Sequence, residues 1–166
     1  MKIKYCILGI ILVFLCFLSY VVFFYTSKPI IVLDPTSPYS EHIRTEIVNV
    51  TYRGVPVHIL DNLIQSESSW RYSVVNKSKY ENSVGLAQIN MNWFPYFKEK
   101  YGIKDPFNPY QSLNFAADYL KDLYEKTGSW EKAIIAYKAG LSKVDKAPAW
   151  VKKLAYKIVY GENKLP

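Results

Sequence analysis

At 166 residues, half of them hydrophobic and with a net charge of +7, the chain has the length for one domain with its own core. The only cysteines, Cys6 and Cys16, fall in an apolar N-terminal run, so the remainder must hold together without a disulfide. No basic run is interleaved with aromatics, which argues against nucleic acid as a partner. His42 and His58 are too isolated to suggest a metal site, and no cofactor is expected.

Residues 1–28 read as an N-terminal membrane anchor. Met1-Lys2-Ile3-Lys4 is basic, and Tyr5 to Tyr25 carries no charge, a run long enough to span a bilayer as a helix. A cleaved signal peptide is the alternative. Val22-Phe23-Phe24-Tyr25 lacks the small-residue cleavage site it needs, so an uncleaved anchor is favoured. Phe14 and Leu15 before Cys16 argue against lipidation. Lys2 and Lys4 would keep the N-terminus cytoplasmic and place the rest outside the cytoplasmic membrane. Beyond Lys28, eighteen Lys and Arg face fourteen Asp and Glu, a mild positive excess suited to an anionic wall or lipid headgroups.

Residues 29–39, with Pro29, Pro35 and Pro38, read as an extended linker, and residues 40–166 as the folded domain. Ser40 can cap a helix running to about Thr51, with Ile43, Ile47 and Val48 inward. Tyr52 to Pro56 breaks it. Pro56 suits a first helical position, and Leu60, Leu63 and Ile64 mark the buried face of the next helix. Glu67 lies four residues after Leu63 and three after Ile64, so it continues the apolar stripe. A carboxyl at the end of such a stripe is desolvated, its pKa rises, and it can serve as a general acid. The alternative, a solvated Glu at a helix end, is weakened by the residues downstream. Arg71 to Asn82 reads as a polar loop. After it, Ser83-Val84-Gly85-Leu86-Ala87-Gln88-Ile89-Asn90 combines a glycine, buried-looking Leu and Ile, and two amides able to meet a sugar amide or hydroxyl.

Asn92 to Tyr101 is aromatic and helical in part, with Gly102 as a stop. Asp105 to Pro109 is a turn. Gln111 to Lys126 reads as a helix, with Leu113, Ala116, Ala117, Leu120 and Leu123 inward. Gly128 ends it, and Ser129 caps a helix with Trp130, Ala133, Ile134 and Tyr137 inward, which stops at Gly140. Pro148 to Tyr160 gives the last helix. No strong strand pair is legible. The expectation is a mainly helical, compact domain of about six helices.

Three segments together, Glu67-Ser68, Gly85-Leu86-Ala87-Gln88-Ile89 and Ala136-Tyr137-Lys138-Ala139-Gly140, resemble the motifs of the lytic transglycosylases of the goose-lysozyme-like group, from about Tyr52 to Val159. That family's motifs are Glu-Ser, Gly-Leu-Met-Gln-Ile or Val, and Ala-Tyr-Asn-Ala-Gly. The resemblance implies a lysozyme-like α+β catalytic domain acting on peptidoglycan glycan strands. It implies cleavage of the MurNAc-GlcNAc β-1,4 bond, leaving 1,6-anhydromuramic ends. Glu67 would act as acid and then base. Ser68, Ser83, Gly85, Leu86, Gln88, Asn90 and Tyr137 would line or support the sugar subsites, with Tyr137 approaching Glu67. Trp70, Trp93 and Tyr96 are candidate stacking platforms, although aromatics at such spacings are more often core.

Three departures stand out. Ala87 replaces Met, Lys138 replaces Asn, and Trp150-Val151 followed by Leu154-Ala155 stands where the family often has Glu-Thr and Tyr-Val. They bear on subsite specificity and are expected to leave Glu67 untouched. Glu81 lies where goose-type lysozymes carry an acid that assists hydrolysis. The rivals to a transglycosylase are therefore a hydrolytic muramidase and a wall-binding or assembly protein that has lost activity.

Overall fold

The computed structural model describes residues 44, 53–78 and 81–161. The anchor, the linker and all of the helix expected after Ser40 except Arg44, which is helical, lie outside the described residues. Among the described residues no helix is long and apolar enough to cross a membrane.

Helix α1 is Val57–Ser68, with Pro56 at its N-cap, one position earlier than expected. Ile59, Leu60, Leu63 and Ile64 are at most 1% exposed and form its buried face. Burying each such side chain contributes about 1.5–3 kcal/mol. The helix ends in Ser69 and Trp70, both at positive φ (52° and 62°), and the Trp70 ring is wholly buried. This left-handed turn directly follows the helical turn that carries Glu67.

The segment expected as a loop, Arg71 to Asn82, holds one strand and the start of a second, and the second motif supplies the rest of a small sheet. Strands β1 (Val75–Lys77), β2 (Asn82–Val84) and β3 (Ile89–Asn90) form an antiparallel sheet in the order β1-β2-β3. Val75 pairs with Val84, and Val84 with Ile89. At two or three residues each, these strands are too short to show an alternating pattern, and β1 is exposed along its length. Backbone pairing defines them. The Ser78 N–H donates to the Glu81 carbonyl at 2.7 Å, and the Glu81 N–H donates to Ser78 Oγ at 3.0 Å.

Helix α2 (Phe94–Tyr101) ends at Gly102 as expected. Helix α3 (Pro109–Thr127) starts on a cap in which Asn108 Oδ1 accepts from the Gln111 N–H at 3.1 Å, with Pro109 opening the first turn. Helix α4 (Trp130–Ala139) begins after Ser129, whose side chain makes no capping bond. A 3-10 turn (Leu141–Lys143) leads toward α5 (Ala149–Tyr160). The helices pack α2 on α3, α3 on α4, α4 on α5, and α5 back on α1. The last contact is pinned by Asn62 Nδ2, which donates to the Ile158 carbonyl at 2.9 Å. At the other side of α1, the Arg44 guanidinium donates to both oxygens of Asp61 at 2.9 and 3.1 Å.

One polar group sits at the centre. Ser112, on α3, is wholly buried, and its Oγ accepts from the Ala87 N–H at 3.1 Å. Without that hydroxyl a buried amide loses its partner. Ser112→Ala is expected to cost about 1–3 kcal/mol, measured as a lower denaturation midpoint with an unchanged slope.

Candidate active site

Glu67 lies in the last turn of α1, where the negative end of the helix dipole disfavours a carboxylate. Its side chain is 8% exposed. Burial raises its pKa above the usual carboxylate range, against the pull of Lys138, and Glu81 pushes it further the same way. Lys138 Nζ lies 2.9 Å from Glu67 Oε1, with the lysine side chain 17% exposed. The contact is a close ion pair. The expectation that the Lys138 departure leaves Glu67 untouched is therefore corrected: the third motif's departing residue touches the acid.

The second motif is held from several sides. Gly85 has φ +77°, and a Cβ there would lie 2.1 Å from the Pro106 carbonyl oxygen. Ala87 donates its N–H to Ser112, and its carbonyl accepts from the Tyr137 hydroxyl at 2.8 Å. Gln88, at φ +46°, donates through Nε2 to the Gly85 carbonyl at 2.9 Å and accepts from Asn76 Nδ2 at 2.7 Å. Its amide thus ties the turn to β1. Three non-glycine residues with positive φ, Ser69, Trp70 and Gln88, lie near the acid or in this turn. Such strain persists only where surrounding structure enforces it.

A cavity of about 430 Å³ lies between β3, α2, α3 and α4. Phe97, Phe115, Tyr119 and Tyr137 are among its lining residues and form a linked cluster, with Phe97–Phe115 centroids 4.8 Å apart and Tyr119–Tyr137 centroids 5.4 Å apart. Trp93 lines it too and is 62% exposed, the geometry of a stacking platform.

Of the residues expected around a sugar, Gln88, Asn90 and Tyr137 line the cavity. Ser68, Ser83, Gly85 and Leu86 do not, and Leu86 is wholly buried. Ser68 turns its Oγ to the Ile64 carbonyl at 3.4 Å. Burial raises the Tyr137 phenol pKa and the Glu67 charge adds to it, while the hydroxyl is engaged by the Ala87 carbonyl. Trp70 is core, whereas Tyr96 is 47% exposed and Trp150 is 65% exposed. Sequence reasoning missed Phe97, Phe115, Tyr119 and Lys143 as lining residues, because they face one another only after α2, α3 and α4 assemble. Among the described residues no group of three His, Cys, Asp or Glu side chains could hold a metal ion.

A carboxyl buried at a helix end thus stands beside an aromatic-walled cavity. The family model for the transglycosylase SLT domain matches residues 47–159, and the chain belongs to that family. Two solved structures share the fold. The lytic transglycosylase Slt of Pseudomonas aeruginosa, in an inactive mutant form, is 14% identical with a TM-score of 0.57, the match covering 74% of this chain and 23% of that one. The 70 kDa soluble lytic transglycosylase of Escherichia coli is 20% identical with a TM-score of 0.52, covering 74% and 21%. The chain thus matches less than a quarter of the length of either protein. No curated protein matches it.

Proposed function

We propose that the protein is a peptidoglycan lytic transglycosylase, held at the cytoplasmic membrane by residues 1–28 with its catalytic domain outside the cytoplasm. The observation that carries the activity is the buried Glu67, its pKa raised by desolvation, beside an aromatic-walled cavity in an SLT-family domain.

Protonated Glu67 donates its proton to the glycosidic oxygen of the MurNAc-GlcNAc bond, and the C–O bond to the anomeric carbon breaks. The carboxylate then takes the proton of the muramyl 6-hydroxyl. That oxygen bonds to the anomeric carbon and closes the 1,6-anhydro ring without adding water. An internal nucleophile held in place competes well against solvent. Gln88, Asn90 and Tyr137 border the sugar, and Ser83, Gly85 and Leu86 support the turn from beneath. Ser68 stabilises the helix end that carries Glu67.

The hydrolytic alternative rests on Glu81, whose charge reaches Glu67. Mass spectrometry of fragments released from purified wall separates the two. Transglycosylation gives anhydro ends, lighter by one water than hydrolysis products. Glu81→Ala is expected to change the rate only modestly. A loss of about 10²–10⁴-fold, typical of a missing general base, together with reducing ends in the wild-type digest, would instead establish a muramidase. Membrane anchoring is checked separately: the unprocessed chain should sediment with membranes. N-terminal sequencing that begins near Tyr25 to Lys28 would make it a secreted protein.

A further inference from the structure

Lys138 stands where the third motif usually carries Asn, and among the described residues its ammonium pairs with the acid. Both partners are largely enclosed, at 17% and 8% exposed, so salt screens the pair little. The cavity meets the lysine and not the acid: Lys138 lines it, and Glu67 does not. Among the described residues the charged groups lining that cavity are two lysines, Lys138 and Lys143, with no carboxylate. The site therefore offers positive charge to whatever enters, on a side chain already committed to the carboxyl that must be protonated for catalysis.

Building on the role proposed above for Glu67, we propose that Lys138 is a charge latch. It restrains the protonation of Glu67 in the free enzyme, and an anionic group on the substrate draws it off. The group of the right chemistry is a free lactyl carboxylate on a muramyl residue. When the ammonium swings to that anion, Glu67 loses its counter-charge and takes up a proton from solvent. That proton goes to the glycosidic oxygen, and the 6-hydroxyl proton replaces it. On product release Lys138 returns to the carboxylate and the proton leaves.

The other groups acting on Glu67 do not supply this control. Glu81, just before β2, adds only a repulsion that favours protonation. Tyr137, beside Lys138 on α4, is kept neutral by burial and donates its hydroxyl hydrogen bond to the Ala87 carbonyl. Burial itself is constant. Among the described residues only Lys138 both faces the cavity and opposes protonation.

The test is a carboxyl NMR titration of the full-length, ¹³C-Glu-labelled protein, with the Glu67 signal assigned by its loss in Glu67→Gln. Lys138→Met should move the Glu67 titration to higher pH, and Lys138→Arg should leave it near wild type. N-acetylmuramic acid has no glycosidic bond to cut, so this readout is independent of turnover. It should move the wild-type titration upward, whereas N-acetylglucosamine, which lacks the lactyl carboxylate, should not. Lys138→Met should respond little to either sugar. In turnover, Lys138→Met should raise kcat/KM on the alkaline limb on the order of tenfold for glycan whose lactyl carboxylates have been amidated. It should also abolish any preference for the charged glycan. An unchanged titration in Lys138→Met, or an equal response of the wild type to both sugars, overturns the latch. A protein that titrates as expected but cuts no glycan leaves the latch standing and removes the transglycosylase reading.

Discussion

Glu67→Gln is expected to lower the rate of glycan release by at least about 10²–10⁴-fold while leaving the fold intact. Gln preserves the shape of the side chain but can neither give nor take the catalytic proton. Release of anhydro-ended fragments, compared at equal folded concentration, is the measurement. Substantial activity in the folded variant would remove Glu67 from the mechanism. The pH profile gives a second check. Burial raises the Glu67 pKa, and the acid form is the working one, so wild-type activity should fall as pH rises through the folded-state pKa. Stability carries the same sign. The raised pKa favours folding below the unfolded-state value, and this contribution is lost as pH climbs through the folded-state value. The variant should lack that slope.

Gly85→Ala should be the most destabilising single change in the second motif. Its Cβ would sit 2.1 Å from the Pro106 carbonyl oxygen, a backbone atom that cannot rotate away, at a φ of +77° that strains any L side chain. The expected cost is about 3 kcal/mol or more, read as a fall in denaturation midpoint or failure to accumulate folded protein. Gly102→Ala is the control. It has a similar φ of +70° but nothing within 4 Å of the added methyl, so it should cost only about 1–2 kcal/mol. If the two variants denature alike, the close approach at Pro106 is not what requires glycine.

The helices were legible because their signals are local. Leu60, Leu63 and Ile64 give the buried face of α1, and Gly102 and Gly128 mark helix stops, although α3 starts at Pro109, two residues before the expected Gln111. The position of Glu67 on that apolar stripe was legible for the same reason. The sheet was not, because strands this short are defined by partners and not by their own side chains. The Lys138–Glu67 pair joins residues far apart in sequence, which no local pattern reports. One signal was nevertheless present. Lys138 lies four residues after Ile134 and three after Ile135, both buried, so it continues an inward stripe just as Glu67 continues that of Leu63 and Ile64. Two opposite charges, each ending an apolar stripe, are candidates to meet.

The way residues 85–87 are seated bears on how variation in this protein should be interpreted. Gly85 rests on Pro106, Leu86 is sealed in the core, and both polar groups of the Ala87 backbone are taken by side chains from α3 and α4. In a library scored only for wall cleavage, these positions would look as intolerant as Glu67. Their intolerance would have a different origin, since it would come with loss of soluble protein, whereas Glu67→Gln is expected to leave the fold intact. Activity and abundance therefore have to be measured side by side before any position in the second motif is credited with chemistry.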